Sequence, residues 1–145
     1  MNKTWIIAAL AIFAAAMFLP GLLSQPEAPT AASQYVTEVT DANFEAEVTN
    51  HDGPVIVEAY ATWCGPCKSY KPVYHQAADA HHNEVKFVSF DGDLNRGIAR
   101  DIDLQAYPTT VCIKGKGADR KVTDSVMGAL PPSTLESFIA ACAAP

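Results

Sequence analysis

Positive charge is scarce in this chain: 10 lysines and arginines stand against 16 aspartates and glutamates, a net charge of −6 at neutral pH. Residues 1–33 carry one charge of each sign, Lys3 and Glu27, so the remainder keeps the same balance. A surface of this sign repels phosphate backbones, which argues against nucleic acid as a partner. Cysteine is also sparse. Four in 145 residues are too few to staple a scaffold of this length, so the core must come from apolar packing. Hydrophobic residues at 49% and charged residues at 18% permit such a core and argue against gross disorder. A zinc site lacks its ligands: His51, His75, His81 and His82 form no pair at ligand spacing to accompany the single C-x-x-C. No internal repeat is present, and neither a metal nor a cofactor is expected.

The first stretch lacks charge as well. Lys3 is the only charged residue before Glu27, and it precedes an apolar run from Trp5 to Leu19 that resumes at Leu22-Leu23 after Pro20-Gly21. A basic start followed by such a run is an export signal. To Leu19 the run suits a signal-peptide core; to Leu23 it approaches a membrane span. Cleavage after Ser24 would put Leu22 at the −3 position, and cleavage after Ala32 would lie far from the run. A cleaved signal peptide and a retained anchor are therefore both carried forward. No cysteine lies nearby, which removes lipid attachment there. The division expected is 1–23 signal peptide or signal-anchor, 24–33 a Pro-, Ala-, Ser- and Thr-rich linker, and 34–145 the folded domain.

Within the domain, strand-like and helix-like segments alternate. Tyr35 to Val39 reads as a strand, and Thr40 or Asp41 as the cap of a helix carrying Phe44 and Val48 on one side. Val55-Ile56-Val57-Glu58-Ala59-Tyr60 is a nearly continuous apolar run of strand length, as expected for a strand covered on both faces. A long helix follows to about His82, with Pro72 inside it as an expected kink. On it His75, Asp79 and His82 recur at i, i+4 and i+7, a spacing read as a solvated face. Val85 to Phe90 is a second apolar strand and Asn95 to Ile102 a short helix. Thr109 to Lys114 and Val122 to Met127 form a hairpin across Gly115-Lys116-Gly117. Pro131 to Glu136 opens the last helix, with Ser133 and Glu136 spaced as a capping box. This order implies an α/β fold, a central sheet with helices on both faces.

Trp63-Cys64-Gly65-Pro66-Cys67 falls at the junction of the first long strand and the long helix. Two cysteines three apart at a helix start can close a small disulfide ring or open to a dithiol at little backbone cost. The first sulfur then lies against unpaired N–H groups and the positive end of the helix dipole, which favour the thiolate. Thiolate is the attacking species, so Cys64 is the expected nucleophile. Cys67, one turn further in, is suited to resolve the mixed disulfide. Pro66 fixes the backbone at the helix start and omits an N–H where none is needed.

The run from Val55 to Lys68, with Pro72, Tyr107-Pro108-Thr109 and Gly128-Ala129-Leu130, resembles the thioredoxin family over nearly all of Gln34 to Pro145. The resemblance implies a thioredoxin-like fold with a mixed central sheet, and a protein-disulfide reductase or oxidoreductase acting through Cys64 and Cys67. It implies that Pro108 follows a cis peptide bond beside the disulfide, so that the backbone of Tyr107 can pair with an extended client. It also implies that Trp63, Gly65, Pro66, Gly128 and Ala129 complete a client groove around Cys64. The family places an Asp where this chain has Glu58, as proton acceptor and donor beneath the resolving cysteine. A carboxyl inside an apolar strand is costly to bury charged, so its pKa should rise. Where the family commonly has a nearby Lys, this chain has Ser89. Glu58 as an edge-facing, solvated residue is the alternative.

Cys112 and Cys142 lie outside the motif. Leu135, Phe138, Ile139 and Cys142 follow i, i+3, i+4 and i+7, so Cys142 faces the core, and Cys112 sits in an apolar strand. Two inert buried thiols are favoured over a bridge between them. The function expected is extracytoplasmic, periplasmic or equivalent. The chain would reduce protein disulfides with electrons from a membrane thiol donor, either soluble or anchored through its N-terminal segment. The rival is a binding or chaperone module that grips extended clients, with redox turnover incidental.

Overall fold

Alternation along the central strand sorts the core into two halves. In the computed structural model, which describes residues 32–145, Val55–Tyr60 (β2) sends Val55, Val57 and Ala59 to one face and Ile56 and Glu58 to the other. The remaining elements, in chain order, are Val36–Glu38 (β1), a π-helical turn at Glu45–Thr49 (α1), Gly65–His81 (α2), Lys86–Asp91 (β3), Arg96–Asp101 (α3), Thr109–Lys114 (β4), a 3-10 turn at Gly117–Asp119 that lengthens the expected Gly115-Lys116-Gly117 connection, Lys121–Met127 (β5) and Pro132–Ala143 (α4). The sheet order is β1-β3-β2-β4-β5; β3 runs parallel to β1 and β2, while β4 is antiparallel to β2 and β5. It is the mixed sheet expected, with β4 and β5 as the hairpin.

Ile56, Phe87 and Cys112 meet Tyr70, Tyr74 and Ala78 of α2 and Leu135, Ile139 and Cys142 of α4. On the opposite face Val57, Val88 and Val111 meet Phe44, Val48, Ile98 and Ile102. Both faces of β2 are thus buried, which is why its sequence is apolar throughout except at one position. That position, Glu58, is 2% exposed and lies on the α2 face. It is not the solvated edge residue of the alternative reading.

Several local expectations give way to tertiary contacts. Asp41 does not cap α1: its carboxylate accepts the N–H groups of Gly97 (3.0 Å) and Ile98 (2.9 Å), capping α3 some 56 residues away. Asn95 in turn accepts the Asp41 N–H. The Ser133–Glu136 box does not form. Pro131 occupies the N-cap, and Glu136 reaches His81 on α2 at 2.7 Å. The His75–Asp79–His82 face is only partly solvated: Asp79 is exposed and His82 half-buried, but the entering chain covers His75. Ser33 donates its N–H to His75 Nδ1 (2.7 Å) and its hydroxyl to Asp79, and the Tyr35 ring stacks on His82 at 3.6 Å.

The largest correction concerns Cys112 and Cys142, which are joined, with Cα atoms 5.8 Å apart. Cys112 pairs in register with Ile56, so both point to the face that α4 covers. Residues 1–31, with the expected signal or anchor and most of the linker, lie outside the described residues. Among the described residues no helix is long and apolar enough to cross a membrane.

Candidate active site

The end of β2 delivers the chain into a turn closed by a bond from the Cys64 N–H to the Ala61 carbonyl. Cys64 then takes extended backbone angles, the conformation an N-cap requires, and α2 begins at Gly65 with Pro66 in its first turn. The Cys67 backbone N–H points back at Cys64 Sγ, 3.2 Å away. Sulfur occupies the place where a Ser or Asp oxygen ordinarily caps a helix, so negative charge on Cys64 is met by an N–H and by the helix dipole. Cys64 and Cys67 are bonded to each other, with Cα atoms 5.3 Å apart. They are 3% and 4% exposed, in a small cluster with Ala61, Tyr60 and Tyr107.

Trp63 is 69% exposed beside Cys64, not part of the core. Its indole N–H donates to Asp93 Oδ2 (2.7 Å), and its ring meets Tyr107 edge-on at 5.8 Å. The Tyr107 hydroxyl donates to the other oxygen of the same carboxylate, Asp93 Oδ1, at 3.2 Å. Gly92 is required beneath this arrangement: a Cβ there would lie 2.5 Å from the Tyr107 hydroxyl. Asp93 was not among the residues singled out from the sequence. It lies 30 residues from Trp63 in the turn after β3, and no spacing signals the contact. The Tyr107–Pro108 peptide bond is cis, and the Pro108 carbonyl accepts the Gly128 N–H at 2.7 Å. Gly128 has φ +96°, a conformation that favours glycine, and the loop it begins with Ala129 is thereby tied to Pro108.

Below Cys67 a pocket of about 310 Å³ opens between β2, β3 and α2, and both Glu58 and Cys67 line it. Burial pushes the Glu58 carboxyl up to about 7; Lys71 acts against that rise and Glu38 adds to it. A carboxyl that changes protonation state near neutral pH, in one pocket with a thiol, can exchange a proton with it. Among the described residues no group of three or more His, Cys, Asp or Glu side chains is placed to hold a metal ion.

The family model for thioredoxin matches residues 35–141. Thioredoxin of the red alga Porphyra purpurea is 41% identical over 104 residues, which cover 72% of this chain and 94% of the relative. Thioredoxin of Pseudomonas aeruginosa is 35% identical over 107 residues, 74% of this chain and 95% of that one. The solved structure of Malassezia sympodialis thioredoxin superposes with a TM-score of 0.66 at 31% identity, covering 79% of this chain and 96% of that one.

Proposed function

This chain belongs to the thioredoxin family and is a thiol–disulfide oxidoreductase, and from that premise we propose that it reduces protein disulfides outside the cytoplasm. The observation that carries the chemistry is Cys64 Sγ in the N-cap position of α2, facing the Cys67 N–H. In the reduced protein the Cys64 thiolate attacks one sulfur of a client disulfide. A mixed disulfide forms, and the client's other sulfur leaves as a thiolate. Glu58 takes the proton of Cys67, whose thiolate then attacks Cys64 Sγ. The Cys64–Cys67 bond forms, the client's second thiolate leaves, and two electrons have passed from the protein to the client. Trp63, Gly65, Pro66, Gly128 and Ala129 border the client groove, and the backbone beside Pro108, at Tyr107, pairs with the client segment. A membrane protein presenting a dithiol on the outer side returns the pair to its reduced form.

Two features support the location. Lys3 before an uncharged apolar run has the form of an export signal. The buried Cys112–Cys142 bond suits an oxidising compartment and is unusual in a reducing one. The path of the chain supports anchoring as compatible with turnover. Ser33 is bonded to His75 and Asp79 and Tyr35 stacks on His82, so the entering chain meets α2 between 11 and 18 positions beyond Cys64, roughly 16 to 27 Å along the helix axis. The N-terminal segment therefore joins the domain beyond the middle of α2 and not at the helix start that carries the reactive sulfur.

Reduction of insulin by dithiothreitol, followed as turbidity, tests the activity. Acceleration by the protein is expected, and none would overturn it. Equilibration against glutathione tests the direction: a pair more reducing than glutathione is expected, and a more oxidising one would reverse the assignment. A reporter joined after Pro145 should be active outside the cytoplasm, and activity confined to the cytoplasm would refute export.

A further inference from the structure

Strand register places a row of polar side chains across the sheet beneath the start of α2. Glu38 of β1 pairs with Ser89 of β3, Ser89 with Glu58 of β2, and Glu58 with Thr110 of β4. Thr110 is closed off by the Tyr70 hydroxyl at 2.8 Å, and the Tyr74 hydroxyl is engaged by the Ile56 and Val88 carbonyls. On that side Glu58 meets only neutral, satisfied groups. The other side is the pocket, lined from α2 by Cys67, Lys68 and Lys71 and from the sheet by Tyr60 and Ser89.

Besides Lys68 at its rim, charge acts on Glu58 in this pocket from two opposed places, Lys71 and Glu38. Lys71 stands on α2 one turn beyond Cys67, exposed and lining the same opening as Glu58. Glu38 is held at the sheet side by two hydroxyls: Ser89 donates to Oε2 at 2.9 Å and Tyr60 to Oε1 at 2.7 Å. Both donors line the pocket, so the Glu38 carboxylate is fixed rather than free to swing into solvent. His75, the next turn of α2, accepts the Ser33 N–H at Nδ1, and burial holds its pKa down, so it adds no charge at neutral pH. Opposite Glu58, β3 presents Ser89 and no cation, and its one lysine, Lys86, is paired with Glu47.

We propose that Lys71 and Glu38 are positioning residues for the resolving step, acting through Glu58. Lys71 favours its ionised form, Glu38 favours its protonated form, and their balance sets the pH at which Glu58 accepts the Cys67 proton. This rests on the role given to Glu58 above. The proton passes from the Cys67 thiol to the Glu58 carboxylate, the thiolate attacks Cys64 Sγ, and the neutral carboxyl later releases its proton to water in the pocket. The cation comes from the helix that carries the cysteines, so its backbone position and that of the resolving thiol keep a fixed spacing of one turn.

The test is the titration of the Glu58 side-chain carboxyl by carbon-13 NMR, together with the pH profile of mixed-disulfide resolution in Lys71→Met, Glu38→Gln and the double variant. Lys71 and Glu38 are both exposed, and glutamine keeps an acceptor for one of the Ser89 and Tyr60 hydroxyls while its amide N–H can donate to the oxygen of the other, so the fold is expected to survive. Lys71→Met should move the Glu58 midpoint and the rising limb of the profile up, and Glu38→Gln should move both down. Each shift should be about half a pH unit, the size a partly screened charge exerts, and the double variant should return near the parent. Midpoints that stay in place, or move in the same direction in both single variants, overturn the proposal. Glu58→Gln separates the two levels. If it leaves the pH profile unchanged while the NMR midpoints still move apart, the proton role of Glu58 fails and the charge balance does not control turnover.

Discussion

The two disulfides of this protein are alike as bonds and opposite in setting. Cys64–Cys67 spans three positions at the start of a helix; Cys112–Cys142 spans thirty and joins the middle of β4 to the last turn of α4. Exposure does not separate them, since all four residues are at most 4% exposed. What differs is the surroundings of the sulfurs. Cys64 Sγ faces a helix N-terminus and a backbone N–H, with the Glu58 carboxyl sharing the pocket of its partner. Cys112 Sγ receives only the Thr123 hydroxyl, at 3.2 Å, and otherwise packs among Ile56, Leu135 and Ile139. The first setting stabilises a thiolate that must form and disappear in each turnover. The second offers a thiolate little, so its bond persists and acts on stability. Loop length points the same way, because a three-residue ring removes little entropy from the unfolded chain and a thirty-residue loop removes much more.

Substitutions can break this contrast, and Cys64→Ser is expected to have the largest effect. Insulin reduction should fall on the order of a thousandfold or more, as for loss of a nucleophile, while thermal stability changes little. Paired replacement of Cys112 and Cys142 by Ala should do the reverse. The unfolding free energy in urea should drop on the order of 3 to 4 kcal/mol, the chain-entropy figure for a loop of this length, with insulin reduction kept wherever the protein is folded. Equal loss of activity in both variants would erase the distinction.

Glu58→Gln sharpens it, since only the first disulfide has a carboxyl in its pocket. The folded value of Glu58, about 7, lies above the 4.5 of an unburied carboxyl. Between those values the folded protein holds a proton that the unfolded chain has released, so stability falls as pH rises through that window and levels off above 7. The fall is on the order of 3 kcal/mol, and Glu58→Gln should remove it, leaving urea midpoints at pH 5 and pH 8 closer together than in the parent. The smallest effect is expected for Thr123→Val, which deletes the hydroxyl that donates to Cys112 Sγ. It should cost about 1 kcal/mol or less in the same urea measurement and leave exchange kinetics unchanged.

Local chemistry was legible in the residues themselves. The Cys64–Cys67 spacing before a helical stretch, the apolar run of β2, the β4–β5 hairpin and the i, i+3, i+4, i+7 face of α4 each follow from the order of neighbouring side chains, and each is present in the fold. The errors share one cause. Asp41 had a helix start of its own nearby, and Glu136 had the spacing of a box with Ser133, yet Asp41 and Glu136 found their hydrogen-bonding partners on elements far along the chain. The His75 face looked solvated because nothing in a helical repeat announces that Ser33 and Tyr35 will lie across it.

What the sequence determined alone is a thiol pair at a helix N-terminus, on a domain of alternating strands and helices, because those features depend on residues within a few positions of one another. Tertiary structure decided the rest. The register of β4 against β2 turned Cys112 to the α4 side and so made the second disulfide. The register of β1, β3 and β2 aligned Glu38, Ser89 and Glu58, and the turn after β3 brought Asp93 to Trp63 and Tyr107. A one-residue slip in any of those pairings would send the side chain to the opposite face, and composition carries no record of which register wins.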